Sequence, residues 1–317
     1  MIIGGVEFTL AQLCALQVEG RTLDLRDLRV RAAQPGVSQR VRSRGRGIDY
    51  VESRVYQPGD DIRSMDWRVT ARSGRPHTKL YQQENARQVY LLVDFGASMF
   101  FGTRRAFKSV AAAETAALLC WAAVQRGARM GALINNATRI VHVRDRDGRR
   151  GALAILQALV SLGNARGPEP TVTPLSATLR RARHVFRPEA LMIVISDFAA
   201  LAGDAEQELA RLGQKHQLLL IQVYDPLEAS PPPPGHYAIT DGRDATVIDT
   251  RSASLRTDYE SYFTGRRQRL ETLAHRLGMA LMSLCTNDVP AAALARRLGA
   301  RAPRRVSRPA AGERSLV

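Results

Sequence analysis

The sequence predicts an α/β chain: a doubly wound, mainly parallel sheet with helices on both faces, preceded by a small β-containing accessory segment. Three observations carry this. From about residue 89, short apolar runs alternate with helix-length stretches, the rhythm of βαβ units. The runs VYLLVD, LMIVISD and HQLLLIQVYD are continuously apolar, as strands covered on both faces are. Each also ends in aspartate, at the point where a strand gives way to a loop.

The elements follow in order. Thr9 opens the first helix: TLAQ is a capping box with Gln12 three residues on, and Leu10, Leu13, Cys14 and Leu16 form one apolar face. Residues 31–47, RAAQPGVSQRVRSRGRG, are basic with few apolar residues and read as a mobile loop. In RVYQPGDDIRSMDWRVTAR, Pro58-Gly59 suits the centre of a type II turn. Asp60 or Asp61 then caps a short helix in which Ile62, Met65 and Val69 recur at helical spacing. Arg63 and Arg72 are placed to pair with Asp60, Asp61 or Asp66, and Trp67 offers a large apolar anchor. The segment is expected to pin a small β-element in place, with direct partner binding as the sharper alternative.

Strand VYLLVD leads through FGASMFFGT into an alanine-rich helix over 104–126. ARMGALIN and TRIVHV follow as strands, then helices GRRGALAILQALVSL and PLSATLRRARHVF. Strand LMIVISD, helix DAEQELARLGQK and strand HQLLLIQVYD continue the alternation. SPPPPG (230–235) is an extended surface connection. A helix over 255–277, an edge or late strand GMALMSLCT and a closing helix VPAAALARRLG complete the domain. The expected division is an accessory segment 1–88, a main domain 89–300 and a disordered basic tail 301–317.

Composition narrows the function classes. The 317 residues are 45% hydrophobic, enough to bury a core, and carry a formal net charge of +16. Only Lys79, Lys108 and Lys215 are lysines, so the excess is arginine. Such a charge admits nucleic acid, acidic proteins or membrane surface and selects none of them. The arginine-rich stretches lack the interleaved aromatic residues that stack single strands, so a nucleic-acid-binding role is the second choice. Cys14, Cys120 and Cys285 show no metal or disulfide spacing, which fits a reducing cytoplasm. No signal peptide is visible, and the longest apolar run, VAAAETAALLCWAAV, is too short to span a bilayer.

The candidate site lies where a doubly wound sheet binds ligands, beyond the carboxyl ends of its strands. Asp94 and Asp197 end two strands, Ser98 follows Asp94 at the mouth of a helix, and Thr173 opens another helix after Gly163 and Gly167. Singly, each suits a helix cap. Together, two carboxylates and two hydroxyls on one rim suit Mg²⁺, a hard cation that takes oxygen ligands. GASMF (96–100) has the outline of a nucleophile elbow, but Phe100 replaces the second glycine and no histidine stands at a diagnostic spacing. Neither GxxxxGK[ST] nor GxGxxG occurs, so no nucleotide is expected. A two-metal nuclease fits these carboxylates less well.

VDFGASM, then Thr173, then ISD resembles the metal-ion-dependent adhesion site of von Willebrand factor A-type domains, D-x-S-x-S, T and D. Asp94, Ser98, Thr173 and Asp197 match it, and Gly96 stands where the pattern has its first serine. RGRGIDYVESRVYQPGDDIRSMDWRVTARSGRPHTKLY is similar to the signature ahead of such a domain in the family called domain of unknown function 58. FFGTRRAFKSVAAAETAALLCWAA and YDPLE are similar to that family too, and the resemblance spans about residues 40–290. It implies a von Willebrand A-type Rossmann-like fold and a degenerate adhesion site able to hold Mg²⁺. It also implies a non-enzymatic role as a partner or substrate adaptor for a MoxR-type AAA+ ATPase and its client proteins. Tyr56, Gly59, Asp60, Asp61, Arg63, Asp66, Trp67 and Arg72 carry the signature, as partner-binding or structural residues. A metal-free scaffold is the remaining alternative.

Overall fold

The structure is a computed structural model that describes residues 3–25, 49–57, 65–82, 88–136, 138–165, 174–201, 203–240 and 245–298. The expected loop 31–47, the tail 301–317, Pro58 to Asp61, Arg63 and Thr173 lie outside the described residues. The chain divides into two compact units, Met1–Ala32 with Gln88–Val317, and Ala33–Arg87.

The larger unit is mixed α/β around a six-stranded sheet. Its strands are β3 (Gln88–Asp94), β4 (Arg129–Asn135), β5 (Ile140–Asp147), β6 (Leu191–Ser196), β7 (Gln217–Tyr224) and β10 (Ala280–Cys285). They are ordered β10-β7-β6-β3-β4-β5. Every neighbouring pair is parallel except β4 and β5, which form an antiparallel edge. GMALMSLCT is therefore an edge strand, as its sequence suggested. A hairpin of β8 (His236–Thr240) and β9 (Ala245–Asp249) follows the proline run; the sequence reading did not anticipate it.

Side chains alternate across the sheet because successive residues of a strand point to opposite faces. Leu91, Val93, Ile193 and Ile195 face one core with α4 (Lys108–Val124) and α5 (Gly148–Gly163). Tyr90, Leu92, Met192 and Val194 face the other, with α6 (Leu175–Val185), α7 (Asp204–Gly213) and α9 (Ala253–Arg276). Both faces are covered, which is why these strands read as unbroken apolar runs. Helix α4 is buried from Lys108 to Ala123, and a helix that is apolar all round belongs inside. No helix among the described residues is long and apolar enough to cross a membrane.

The N-terminal helices belong to this unit rather than to the signature segment, a difference from the division at residue 88. Thr9 caps α1 (Leu10–Ala15) through the expected capping box with Gln12. Leu13 and Leu16 are fully buried, and Trp121 Nε1 donates to the Leu13 carbonyl at 3.0 Å. In α2 (Gln17–Gly20) a Cβ on Gly20 would come within 2.6 Å of the Trp121 Cβ, so a glycine there lets α2 close on α4. The closing helix, α10 (Pro290–Leu298), completes this face.

In the smaller unit β1 (Asp49–Val55) pairs antiparallel with β2 (His77–Gln82). Between them runs α3 (Trp67–Ser73). Its cap is Asp66, and Met65 precedes the helix. The Asp66 carboxylate accepts from the Arg68 and Val69 N–H groups at 3.2 Å and from Ser53 Oγ at 2.7 Å. The cap thereby ties α3 to β1, and Thr70 Oγ1, accepting from the His77 N–H at 3.0 Å, ties it to β2. Tyr56 N–H donates to the Pro76 carbonyl, and Arg72 sits in the last turn of α3, where a cation favours the helix dipole. Trp67 is 67% exposed, so the expected apolar anchor is a surface residue.

Candidate functional site

β3 and β6 are neighbours in the middle of the sheet, and the order of strands reverses there: the chain steps outward from β3 to β4, then returns to place β6 on the other side. The crevice beyond their carboxyl ends is where a doubly wound sheet can hold a ligand. Asp94 is the last residue of β3, and Asp197 follows the last residue of β6. Ser98 lies in a 3-10 turn, Ala97–Met99, after β3 and is exposed. Its hydroxyl is among the groups that lower the Asp197 carboxyl. Asp94 and Asp197 thus end neighbouring strands, with Ser98 in the turn that follows β3.

The donors around the carboxylates are specific. Asp94 Oδ1 accepts from Gly96 N–H at 3.0 Å and Asn135 Nδ2 at 3.3 Å, and Oδ2 accepts from Ser196 Oγ at 2.8 Å. Burial pushes the Asp94 carboxyl up to about 6, with the neighbouring Asp197 charge adding to the rise and the three donors opposing it. Asp197 goes the other way. Burial alone would raise it, but the charge and hydrogen bond of Lys108, with Ala199 N–H and Ser98, hold it below the ordinary carboxylate value.

Lys108 is the residue that the sequence reading missed. It is the first residue of α4, is 1% exposed, and its Nζ lies 2.8 Å from Asp197 Oδ2 and 2.7 Å from Glu228 Oε1. Glu228 belongs to α8 (Pro226–Ala229), and its other oxygen accepts from Asp225 N–H in a capping box. Asp225 is itself fully buried, and its carboxylate accepts from Thr103 N–H, Thr103 Oγ1, Leu227 N–H and Thr286 Oγ1. Arg266 of α9 donates to the Asp197 carbonyl at 3.3 Å. One signal was available: a lysine, rare in this arginine-rich chain, stands at the head of its most apolar helix.

Gly96 has φ −58° and ψ 165°, backbone open to any residue, and a Cβ there would lie 3.3 Å from Asp94 Oδ1. Its lack of a hydroxyl is a chemical departure from the adhesion-site pattern and not a backbone requirement. Among the described residues no group of three or more His, Cys, Asp or Glu side chains is arranged to hold a metal ion. Both carboxylates already accept hydrogen bonds, Asp94 from Gly96, Asn135 and Ser196 and Asp197 from Lys108 and Ala199.

The family model described as "Protein of unknown function DUF58" matches residues 52–269. Uncharacterized proteins of Mycobacterium tuberculosis and Mycobacterium bovis are 30% identical over 262 residues, 81% of this chain and 82% of theirs. Among solved structures, a conserved hypothetical protein, BatB, from Bacteroides thetaiotaomicron aligns at TM-score 0.40 and 14% identity, over 67% of this chain and 96% of its own. An aerotolerance-related membrane protein from Bacteroides fragilis aligns at TM-score 0.42 and 16% identity, over 66% and 94%.

Proposed function

The chain belongs to the DUF58 family, and from that premise we propose that it is a non-enzymatic interaction protein with a von Willebrand A-type domain. Its role in this reading is that of a cytoplasmic partner or substrate adaptor for a MoxR-type AAA+ ATPase, in the assembly or maturation of client proteins. The observation that carries the reading is the meeting of Asp94, Ser98 and Asp197 at the carboxyl ends of β3 and β6, where the strand order reverses. The resemblance of these residues to an adhesion site makes that rim the docking face.

The chemistry of the rim supports docking over catalysis. Lys108 pairs with Asp197, so that carboxylate is engaged by an ammonium and is not poised as a base. His216 precedes β7 at the amino end of the sheet, away from the rim. A triad needs its serine and imidazole within hydrogen-bond reach.

The test is an affinity capture from native extract, read by mass spectrometry, with wild type and with Ser98→Trp, which crowds the exposed rim. Recovery of a MoxR-type ATPase by wild type and its loss with Ser98→Trp is the expected result. Recovery of nucleic acid and its usual carriers, with no ATPase, overturns the adaptor reading.

A further inference from the structure

Building on the reading of the rim as a docking face, we propose that the rim carries its own cation. The Lys108 ammonium occupies the role that the adhesion-site pattern gives to Mg²⁺, so the site takes no divalent ion and docking there is independent of metal.

The position of Lys108 is costly by every local measure. It is 1% exposed, and a buried charge is tolerated only when paired. It is also the first residue of the 17-residue helix α4, where the positive end of the helix dipole disfavours a cation. What offsets both is the pair of carboxylates at 2.8 and 2.7 Å, one from the end of β6 and one from α8. The charge thus serves the rim and not the helix it begins. Lysine suits this place where arginine does not: a compact ammonium with three donors fits between two carboxylates from different directions, whereas a guanidinium needs a planar fork.

The remaining ligands point the same way. Asp94 already accepts from Gly96 N–H, Asn135 Nδ2 and Ser196 Oγ. The hydroxyl that a serine would add is absent at Gly96. Mg²⁺ requires near-octahedral oxygen ligands and keeps several waters. Here it would share Asp197 with a buried ammonium, and the two positive charges would repel across a medium that screens poorly.

Mn²⁺ binding followed by electron paramagnetic resonance, and thermal melts in Mg²⁺ and in EDTA, test this on the whole chain alone. Wild type is expected to show no saturable Mn²⁺ signal and the same melting temperature in both buffers. Lys108→Met is expected to melt lower in EDTA and to recover part of the loss in Mg²⁺, because Asp197 and Glu228 then lack a cation. A saturable Mn²⁺ signal in wild type that Asp94→Asn abolishes overturns the proposal. So does a folded Lys108→Met protein that gains nothing from Mg²⁺. Should that variant not fold, the wild-type titration decides by itself. Failure of the adaptor reading registers elsewhere, as the absence of the ATPase from the affinity capture.

Discussion

Replacing Asp94 by asparagine removes a charge that the fold holds in an unfavourable place. The folded carboxyl titrates at about 6 against 3.8 for a free one. Between those values the folded state holds a proton that the unfolded chain has released, so stability falls as pH rises through the interval. The gap of roughly two units, at about 1.4 kcal/mol each, is worth about 3 kcal/mol, and partial exposure at the rim trims this to roughly 2 kcal/mol. Asparagine keeps one oxygen for Gly96 and Asn135, and its Nδ2 can donate to Ser196 Oγ, whose hydroxyl turns to suit. Exchanging a charged acceptor for a neutral one costs about 1 kcal/mol. Urea unfolding in EDTA should therefore find Asp94→Asn less stable than wild type near pH 4 and about 1 kcal/mol more stable near pH 8. A difference that stays flat with pH, or that turns against asparagine as pH rises, refutes the reasoning. The second outcome would mean that the fold favours the ionised form of Asp94.

Further predictions follow from the same contacts. Lys108→Arg should destabilise by about 2 kcal/mol in urea unfolding, since a larger planar group replaces a fully packed ammonium. Asp225→Asn should cost about 2–3 kcal/mol near neutral pH, because one oxygen cannot serve donors from Thr103, Leu227 and Thr286. The Asp225 carboxyl is held below its ordinary value, burial being outweighed by the hydroxyls of Thr103 and Thr286. Its contribution is therefore present above the free aspartate value and is lost as pH falls through the folded one, so the deficit of Asp225→Asn should shrink in acid. Asp66→Ala should cost the β1–α3–β2 unit about 1–2 kcal/mol, seen as faster amide exchange at Arg68 and Val69.

The parts of the fold legible in the sequence were those with a single dominant cause. Strands β3, β6 and β7 are buried on both faces, so nearly all their central residues are apolar and the run announces itself. The capping box at Thr9 is local in sequence and in space, and it stands as read. Asp94 and Asp197 were legible because strand ends are marked by where the apolar run stops. Lys108, Ser196, Asn135 and Glu228 were not, because their meaning depends on strand order, which no short window encodes. Ser196 reads as the last residue of a strand, and it becomes a donor to Asp94 only once β6 lies beside β3. The tie between Asp66 and Ser53 was hidden for a related reason: the two meet only once β1 lies beside α3.

The connection between β3 and α4 shows why the rim can serve as a docking face. Thr103 is fastened to Asp225 by its amide and hydroxyl. Arg105 donates to the carbonyls of Thr286 and Ile3 and pairs with the buried Glu114 at 2.9 Å. Lys108 closes the series on Asp197 and Glu228. Three cation or carboxylate anchors within six residues hold the loop from beneath, while Ala97, Ser98 and Phe101 remain exposed above it. A loop fixed in this way loses little conformational freedom when a partner binds, so more of the contact energy appears as affinity. A metal site achieves the same fixation with one exchangeable ion. Here the anchors are covalently part of the chain, so the shape of the rim is set when the protein folds and not when an ion arrives.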